Sequence, residues 1–317
     1  MKRDELTIFD SEAVRERLSY PDCIRVVREA MKALSSGETR QLLRTMLSLG
    51  PGRTFAQMPG ALGEHDMFGT KTISVFADPR SPGLRRHRGL VVLFEPDEGR
   101  PVCVADAEEI THIRTAAATA VATDALARPD ARTLLILGTG GQAHTHLKAL
   151  PLVRDFERVL IWGRSPDKAE ALAAEYAHLN AEAVADLPTA AGEADVICTL
   201  TTASEPVLRG EWLKPGVHVN LVGSSGPGPV EVDSALVVNS RYVADSRASA
   251  LDAAAEFIVA REKGLIDDAH IVAEIGEVLL GRVDGRRSEW DITVYKSLGH
   301  AVQDLAAAAH LYRSSLA

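Results

Sequence analysis

Apolar residues recur at helical spacing near the start of the chain. Val14, Leu18, Ile24, Val27 and Met31 predict helix between Ser11 and Leu34, interrupted at Pro21. Short strand-like runs follow, namely TMLSL, RTFAQM, MFGTKTISVF, GLVVLFE and PVCVAD, separated by Gly, Pro and Asp turns. That spacing predicts a small, mostly antiparallel sheet. At Thr111 the texture changes. THIRTAAATAVATDALA predicts an Ala-rich helix of about four turns, stopped by Arg128-Pro129. Apolar strands then alternate with helices: TLLILG, a helix from Gly141, RVLIWG, a helix from Ser165, DVICTLT, VHVNLVG and RYVAD. Such alternation predicts a parallel sheet covered on both faces. In KSLGHAVQDLAAAAHLYRS, residues Leu298, Val302, Leu305, Ala309 and Tyr312 form one helical stripe, read as core or subunit packing rather than a ligand site.

Composition narrows the class. The 317 residues carry 35 Lys+Arg against 44 Asp+Glu, a formal charge of −9, with 46% hydrophobic and 25% charged residues. This is ordinary globular composition, and the length admits one or two domains. Net acidity without any block of five or six like charges argues against duplex nucleic acid as the main partner, and no nucleic-acid partner is expected. Cys23, Cys103 and Cys198 show no metal-ligand spacing and read as buried small hydrophobes in a reducing compartment. No apolar stretch follows the basic start MKRDELTIFD, and no run is long enough to cross a bilayer. A cytoplasmic protein without a membrane partner is expected.

The strand TLLIL leads into Gly138-Thr139-Gly140-Gly141-Gln142-Ala143, which opens a helix. This is a GxGxxA fingerprint in the context it requires. The first Gly permits a tight turn, the second lets backbone approach a pyrophosphate, and the Ala allows close helix–strand packing. The helix N-terminus presents free N–H groups to the phosphates. The second strand ends in Trp162-Gly163-Arg164-Ser165. Sites for NAD usually hold an acid here for the ribose 2′-OH, whereas Arg suits a 2′-phosphate. Arg164 and the Ser165 hydroxyl therefore favour NADP(H), with NAD(H) the alternative. Ser165-Pro166 is equally an ordinary helix start. The fold class expected is α/β, a Rossmann dinucleotide-binding domain plus a smaller α+β domain.

Three cations stand out in the first third. Lys71 shares a strand face with Met67, Gly69, Ile73 and Val75, where an unpaired ammonium is costly. It reads either as a charged residue at a sheet edge or as a cation facing an anionic substrate. Arg114, placed by the pattern in the first turn of the Ala-rich helix, opposes the helix dipole unless a carboxylate arrives there. Arg44, between Leu43 and Thr45, is a weaker third candidate.

The stretches LLRTML, MPGALG with TKTISVF, HRGLVVLFEP, ITHIRTAAATAVAT, ILGTGGQA, IWGRS, GEWLKPGVHVNLVGSS and TVYKSLGHAVQD follow in order along the chain. Together they resemble the ornithine cyclodeaminase/mu-crystallin family over essentially the full length. The resemblance implies a substrate-binding and dimerisation domain at residues 1–117 and 298–317, with a Rossmann domain at 118–297 inserted in it. It also implies a homodimer built through the small domains. Arg44, Lys71 and Arg114 fall on positions that hold the carboxylate of an amino or imino acid, and Lys71 on the candidate proton donor. His87, Thr199, Leu200, Val222, Ser225 and Lys296 match positions that line the cofactor.

One loop departs from the family. Cyclodeaminases and the related alanine dehydrogenases carry an Asp in a G-x-D-x-P-G-K-like pattern. VGSSGPGPVEVD has Ser225 and no Asp there, with Pro229 in place of the Lys. A hydroxyl hydrogen-bonds an imine or a water but is no carboxylate base near neutral pH. Both this loop and IWGRS are closer to the mu-crystallin-type ketimine reductases. Glu256 lies near in chain order, as a site acid or as a solvated helix carboxylate. The leading expectation is an NADPH-dependent reductase of cyclic imino acids such as pyrroline- or piperideine-2-carboxylate. The alternatives are ornithine cyclodeaminase with tightly held NAD, an NAD(P)-linked amino-acid dehydrogenase such as alanine dehydrogenase, and a nucleotide-dependent binding protein with little turnover.

Overall fold

The structure is a computed structural model that describes residues 5–77, 85–226, 228 and 230–316. Pro229, singled out above, lies outside the described residues. The chain divides into two compact units, Met1–Arg114 with His300–Ala317, and Thr115–Gly299.

The first unit begins with strand β1 (Thr7–Phe9) and helices α1 (Ser11–Arg17) and α2 (Tyr20–Ser36). Pro21 sits in the first turn of α2, where a missing N–H costs nothing, so it starts a second helix rather than kinking one. Strands β2 (Arg40–Gln41), β3 (Thr45–Ser48), β4 (Arg53–Ala61), β5 (Phe68–Ala77), β6 (Arg85–Phe94) and β7 (Pro101–Asp106) follow. The sheet order is β1-β7-β6-β5-β4-β2, with β3 also on β4, and every pairing is antiparallel except β1 with β7. β5 is therefore interior, paired along its length with β4 and β6. The sheet-edge reading of Lys71 is wrong.

Helix α3 runs Ala107–Leu126 and starts one turn before the expected Thr111. Asp106 accepts the Glu109 N–H at 2.8 Å, and Glu108 and Glu109 fill the first turn, where negative charge suits the dipole. Arg114 is thus well inside the helix. The dipole argument for it fails, and its placement has another cause, given below.

The second unit alternates β8 (Thr133–Leu137), α4 (Gly141–Ala149), β9 (Arg158–Trp162), α5 (Pro166–Glu175), β10 (Ala181–Ala183), α6 (Leu187–Glu193), β11 (Val196–Thr199) and β12 (His218–Leu221). There follow α7 (Ser234–Val238), β13 (Arg241–Ala244), α8 (Arg247–Ala253), α9 (Ala255–Glu262), β14 (Ile271–Glu274), α10 (Ile275–Leu279) and β15 (Thr293–Lys296). All strand pairs are parallel, in the order β10-β9-β8-β11-β12-β15-β13-β14. Leu134, Leu135, Ile136 and Leu137 have no exposed surface, as a sheet covered on both faces requires. The order of the first six strands reverses between β8 and β11, the switch point of a Rossmann sheet, where nucleotides bind beyond the strand C-termini.

The chain then re-enters the first unit as α11 (Ala301–Ser315), which begins three residues after the expected Leu298 because β15 runs to Lys296. Helix α11 packs against α2 and against β4, β5, β6 and β7. The three cysteines are buried free thiols. Among the described residues, no helix is long and apolar enough to cross a membrane.

Candidate functional site

In the first unit the odd-numbered positions of β5 face inward, so Lys71 and Ile73 are buried side by side. An ammonium there needs an anion, and α11 supplies one. Lys71 Nζ lies 2.8 Å from Asp304 Oδ1 and also donates to Thr111 Oγ1. The same Asp304 oxygen accepts from Arg114 Nε at 3.0 Å, and Arg114 Nη1 donates to Gln303 Oε1 at 3.0 Å. Thr111 and Arg114 stand three apart on α3, on one helix face. Lys71, Arg114 and Asp304 are all nearly devoid of exposed surface. Asp304, not the helix dipole, is what holds Arg114.

The electrostatics follow from this packing. The Lys71 pKa is lowered to about 8: burial lowers it most, Asp304 raises it in part, and Arg114 and Arg44 lower it again. Burial raises the Asp304 carboxyl, but Arg114 and Lys71 outweigh it and hold Asp304 below its ordinary value. One carboxylate oxygen thus meets the positive charges of both Lys71 and Arg114. The cluster is cationic, suited to one more carboxylate. Arg44 is half-buried between β2 and β3, and its charge is felt at Lys71.

Asp304 lies beside the Leu298–Tyr312 stripe, in the segment whose pattern points to packing alone. Its signal was available: an acid among Ala301, Leu305 and Ala308 on an apolar helix face is as anomalous as Lys71 on its strand. Two misplaced opposite charges invite pairing.

The second unit carries the nucleotide features. Gly138 adopts φ +125°, and a Cβ there would meet the Leu200 carbonyl oxygen at 2.6 Å, so only Gly makes this turn. A Cβ at Gly140 would meet nothing within 4 Å, which leaves room for a bulky group above the helix start. Gly140 is the N-cap of α4 and supplies no side-chain cap. The uncapped N–H groups fit a phosphate. Gly140 and Gly141 are exposed, Thr139 and Gln142 are half-buried, and Ala143 is fully buried.

At the end of β9, a Cβ on Gly163 would come within 2.7 Å of Thr139 Cγ2, which disfavours an acid at that position. Arg164 is exposed. Ser165 is the N-cap of α5 by position, yet its hydroxyl makes no capping hydrogen bond. The hydroxyl therefore stays available for a 2′-phosphate.

Thr199, Leu200 and Val222 are buried at the C-terminal ends of β11 and β12, and Ser225 is exposed in the loop after β12. Lys296 has no exposed surface; its ammonium lies 2.8 Å from Glu256 Oε1 and donates to the Ser224 carbonyl at 2.6 Å. Glu256 is no solvated helix carboxylate: it is buried, and the Tyr242 hydroxyl also donates to it at 3.3 Å. His87 lies on an exposed part of β6 in the first unit.

Comparison with known proteins follows the same lines. Residues 5–317 match the ornithine cyclodeaminase/mu-crystallin family. The ketimine reductase mu-crystallin of Mus musculus is 36% identical, over 88% of this chain and 86% of that one. The structure of Thermococcus litoralis Δ1-pyrroline-2-carboxylate reductase with NADH and L-proline superposes with a TM-score of 0.93 at 31% identity, covering 98% of both chains. An archaeal alanine dehydrogenase dimer with bound NAD superposes with a TM-score of 0.92 at 30% identity, covering 98% of this chain and 96% of that one.

The cluster makes a direct prediction. Replacing Asp304 by Asn leaves Lys71 among cations without its counter-ion, so its pKa should fall by at least about one unit. NMR titration of isotopically labelled lysine reads this; an unchanged value near 8 contradicts the coupling described here.

Proposed function

We propose that this chain, which belongs to the ornithine cyclodeaminase/mu-crystallin family, reduces the C=N bond of cyclic imino acids with NADPH as preferred cofactor. The observation that carries the reading is that two buried cations, Lys71 and Arg114, share a single carboxylate oxygen of Asp304. Relatives named as ketimine reductase and pyrroline-2-carboxylate reductase support the substrate class.

Arg44 and Arg114 hold the substrate carboxylate through charge-assisted N–H donors. Lys71 gives its proton to the imine nitrogen and is left neutral. Bound reduced nicotinamide supplies the hydride that the C=N carbon takes up, so the imine becomes a secondary amine. The glycine turn at Gly138–Ala143 holds the pyrophosphate, and Arg164 with Ser165 holds the 2′-phosphate. Thr199, Leu200, Val222 and Ser225 belong to the loops that receive the rest of the dinucleotide. Gly223-Ser224-Ser225-Gly226 offers no carboxylate base, which weighs against cyclodeamination.

A panel of five- and six-membered imino acids, and of open-chain keto acids with ammonia, tests this with NADPH and NADH. Rapid oxidation of NADPH with a cyclic imine and no ammonia is expected. An absolute need for free ammonia would instead favour an open-chain dehydrogenase, the reading that the archaeal alanine dehydrogenase likeness supports. NADH outperforming NADPH tenfold in kcat/KM removes the NADPH preference.

The proton-donor role fixes the sign of the pH dependence. Lys71 donates only while charged, so reductive kcat/KM should decline above pH about 8. Lys71→Met should lower kcat by about 10²–10⁴-fold and abolish that decline. A variant that keeps wild-type kcat refutes the role.

We also infer a homodimer through the first unit. Leu47, Phe76 and Leu90 are exposed on the outer face of strands β3, β5 and β6, an apolar display of the kind that marks an interface. The archaeal alanine dehydrogenase named above is itself a dimer. Sedimentation equilibrium should give twice the chain mass, and the double variant Leu47→Lys, Phe76→Glu should give the monomer. A wild-type monomer at micromolar concentration excludes the dimer.

A further inference from the structure

Outside the groups assigned so far, the second unit holds a buried carboxylate with an unusual set of partners. Glu231, between β12 and α7, is 2% exposed. Its Oε1 accepts the Thr201 N–H at 2.7 Å and the Thr201 hydroxyl at 2.8 Å. Its Oε2 accepts the Thr199 hydroxyl at 2.8 Å, the Gly223 N–H at 2.8 Å and the Ser224 N–H at 3.3 Å. Thr199–Thr201 is the chain leaving β11, and Gly223–Ser224 is the chain leaving β12. One carboxylate ties the two exits together.

The Ser224 residue is gripped again from the other side. Its carbonyl accepts from Lys296 Nζ at 2.6 Å, and Lys296, at the end of β15, is balanced by Glu256. Ser224 is thus held at its N–H by a buried anion and at its C=O by a buried cation. Ser225 follows directly. Ser224 is 2% exposed, so its backbone groups must be paired within the protein, and here both partners are buried ionisable side chains rather than neighbouring backbone.

In a doubly wound sheet with this strand order, the first half takes one mononucleotide at the glycine turn and the second strand. The other mononucleotide falls to the loops beyond the two strands across the switch point, here β11 and β12. We propose that Glu231 is a positioning residue for the nicotinamide half of the cofactor: it locks the β11 and β12 loops together and, with Lys296 on the Ser224 carbonyl, sets the backbone that carries Ser225. The proposal rests on the dinucleotide part of the function reading and not on the choice of imine. Charge matters less here than acceptor number. Gln offers one oxygen and turns an NH2 toward groups that are themselves donors, so either one loop or the other loses its partner.

The test separates the two halves of the cofactor by calorimetry. Wild type, Glu231→Gln and Thr201→Val are titrated with NADPH and with adenosine 2′,5′-bisphosphate, which lacks the nicotinamide half. Glu231→Gln should weaken NADPH by about tenfold or more while the bisphosphate changes less than about twofold. Thr201→Val, which deletes one donor and keeps the carboxylate, should shift NADPH alone in the same direction by a smaller factor. Equal weakening of both ligands, or of neither, overturns the proposal. If Glu231→Gln does not fold, Thr201→Val and Lys296→Met decide by the same criterion. No imino acid enters these titrations, so a wild type that binds NADPH but reduces no imine overturns the reductase reading and leaves this inference standing. A wild type that fails to bind the dinucleotide overturns this one.

Discussion

Asp304 has no exposed surface, and one of its oxygens meets both Lys71 and Arg114. Much of the first unit's chemistry depends on that shared anion. Burying an ammonium and a guanidinium without it would be prohibitive, because an unpaired charge in a protein interior costs several kcal/mol, of order 3–5 when one partner of a buried pair is removed. Pairing one carboxylate with more than one cation leaves positive charge unspent. The unit is therefore stable as folded and still attractive to an incoming carboxylate. The anion sits on α11, the last helix, although the lysine is on β5 and the arginine on α3. The first unit is incomplete until the end of the chain has folded back into it.

The second unit solves a related problem at its strand ends. Its sheet interior is apolar through β8 and β9, β12 buries the hydrogen-bonded polar pair His218 and Asn220, and further polar groups collect where the parallel strands terminate. There the glycine turn after β8 presses against the Leu200 carbonyl, and Glu231 fastens the loop containing Leu200 to the loop after β12. Lys296 and Glu256 form a second buried pair beneath Ser224. In both units buried charge serves to fix geometry, while the fold itself comes from apolar burial and the right strand order.

Much of this was legible from residues alone. The GxGxxA turn between an apolar run and a helix gave the nucleotide site, because three glycine or alanine positions carry separate steric demands that few other contexts impose. Lys71 was legible from strand phase, since alternation assigns a face without knowing what lies opposite. What alternation cannot give is the partner. Asp304 is 233 residues from Lys71, and nothing local to either residue names the other. The same limit explains Glu256, whose burial is decided by Lys296 and Tyr242 rather than by its own helix. Arg114 was found for the wrong reason. Composition placed the helix start at the first Ala-rich turn, whereas Asp106 and the two following glutamates begin it earlier. Family resemblance supplied what neither period nor spacing contains, the expectation that three cations from distant segments share one ligand.

The role proposed for Lys71, Arg114 and Arg44 is recognition of a carboxylate. Competitive inhibition of the reductase by L-proline and by L-prolinamide, identical in ring but differing in that one group, tests it most directly. The account predicts that proline binds at least about 100-fold more tightly, in line with two charge-assisted hydrogen bonds lost together. Equal affinity for the acid and the amide would contradict it.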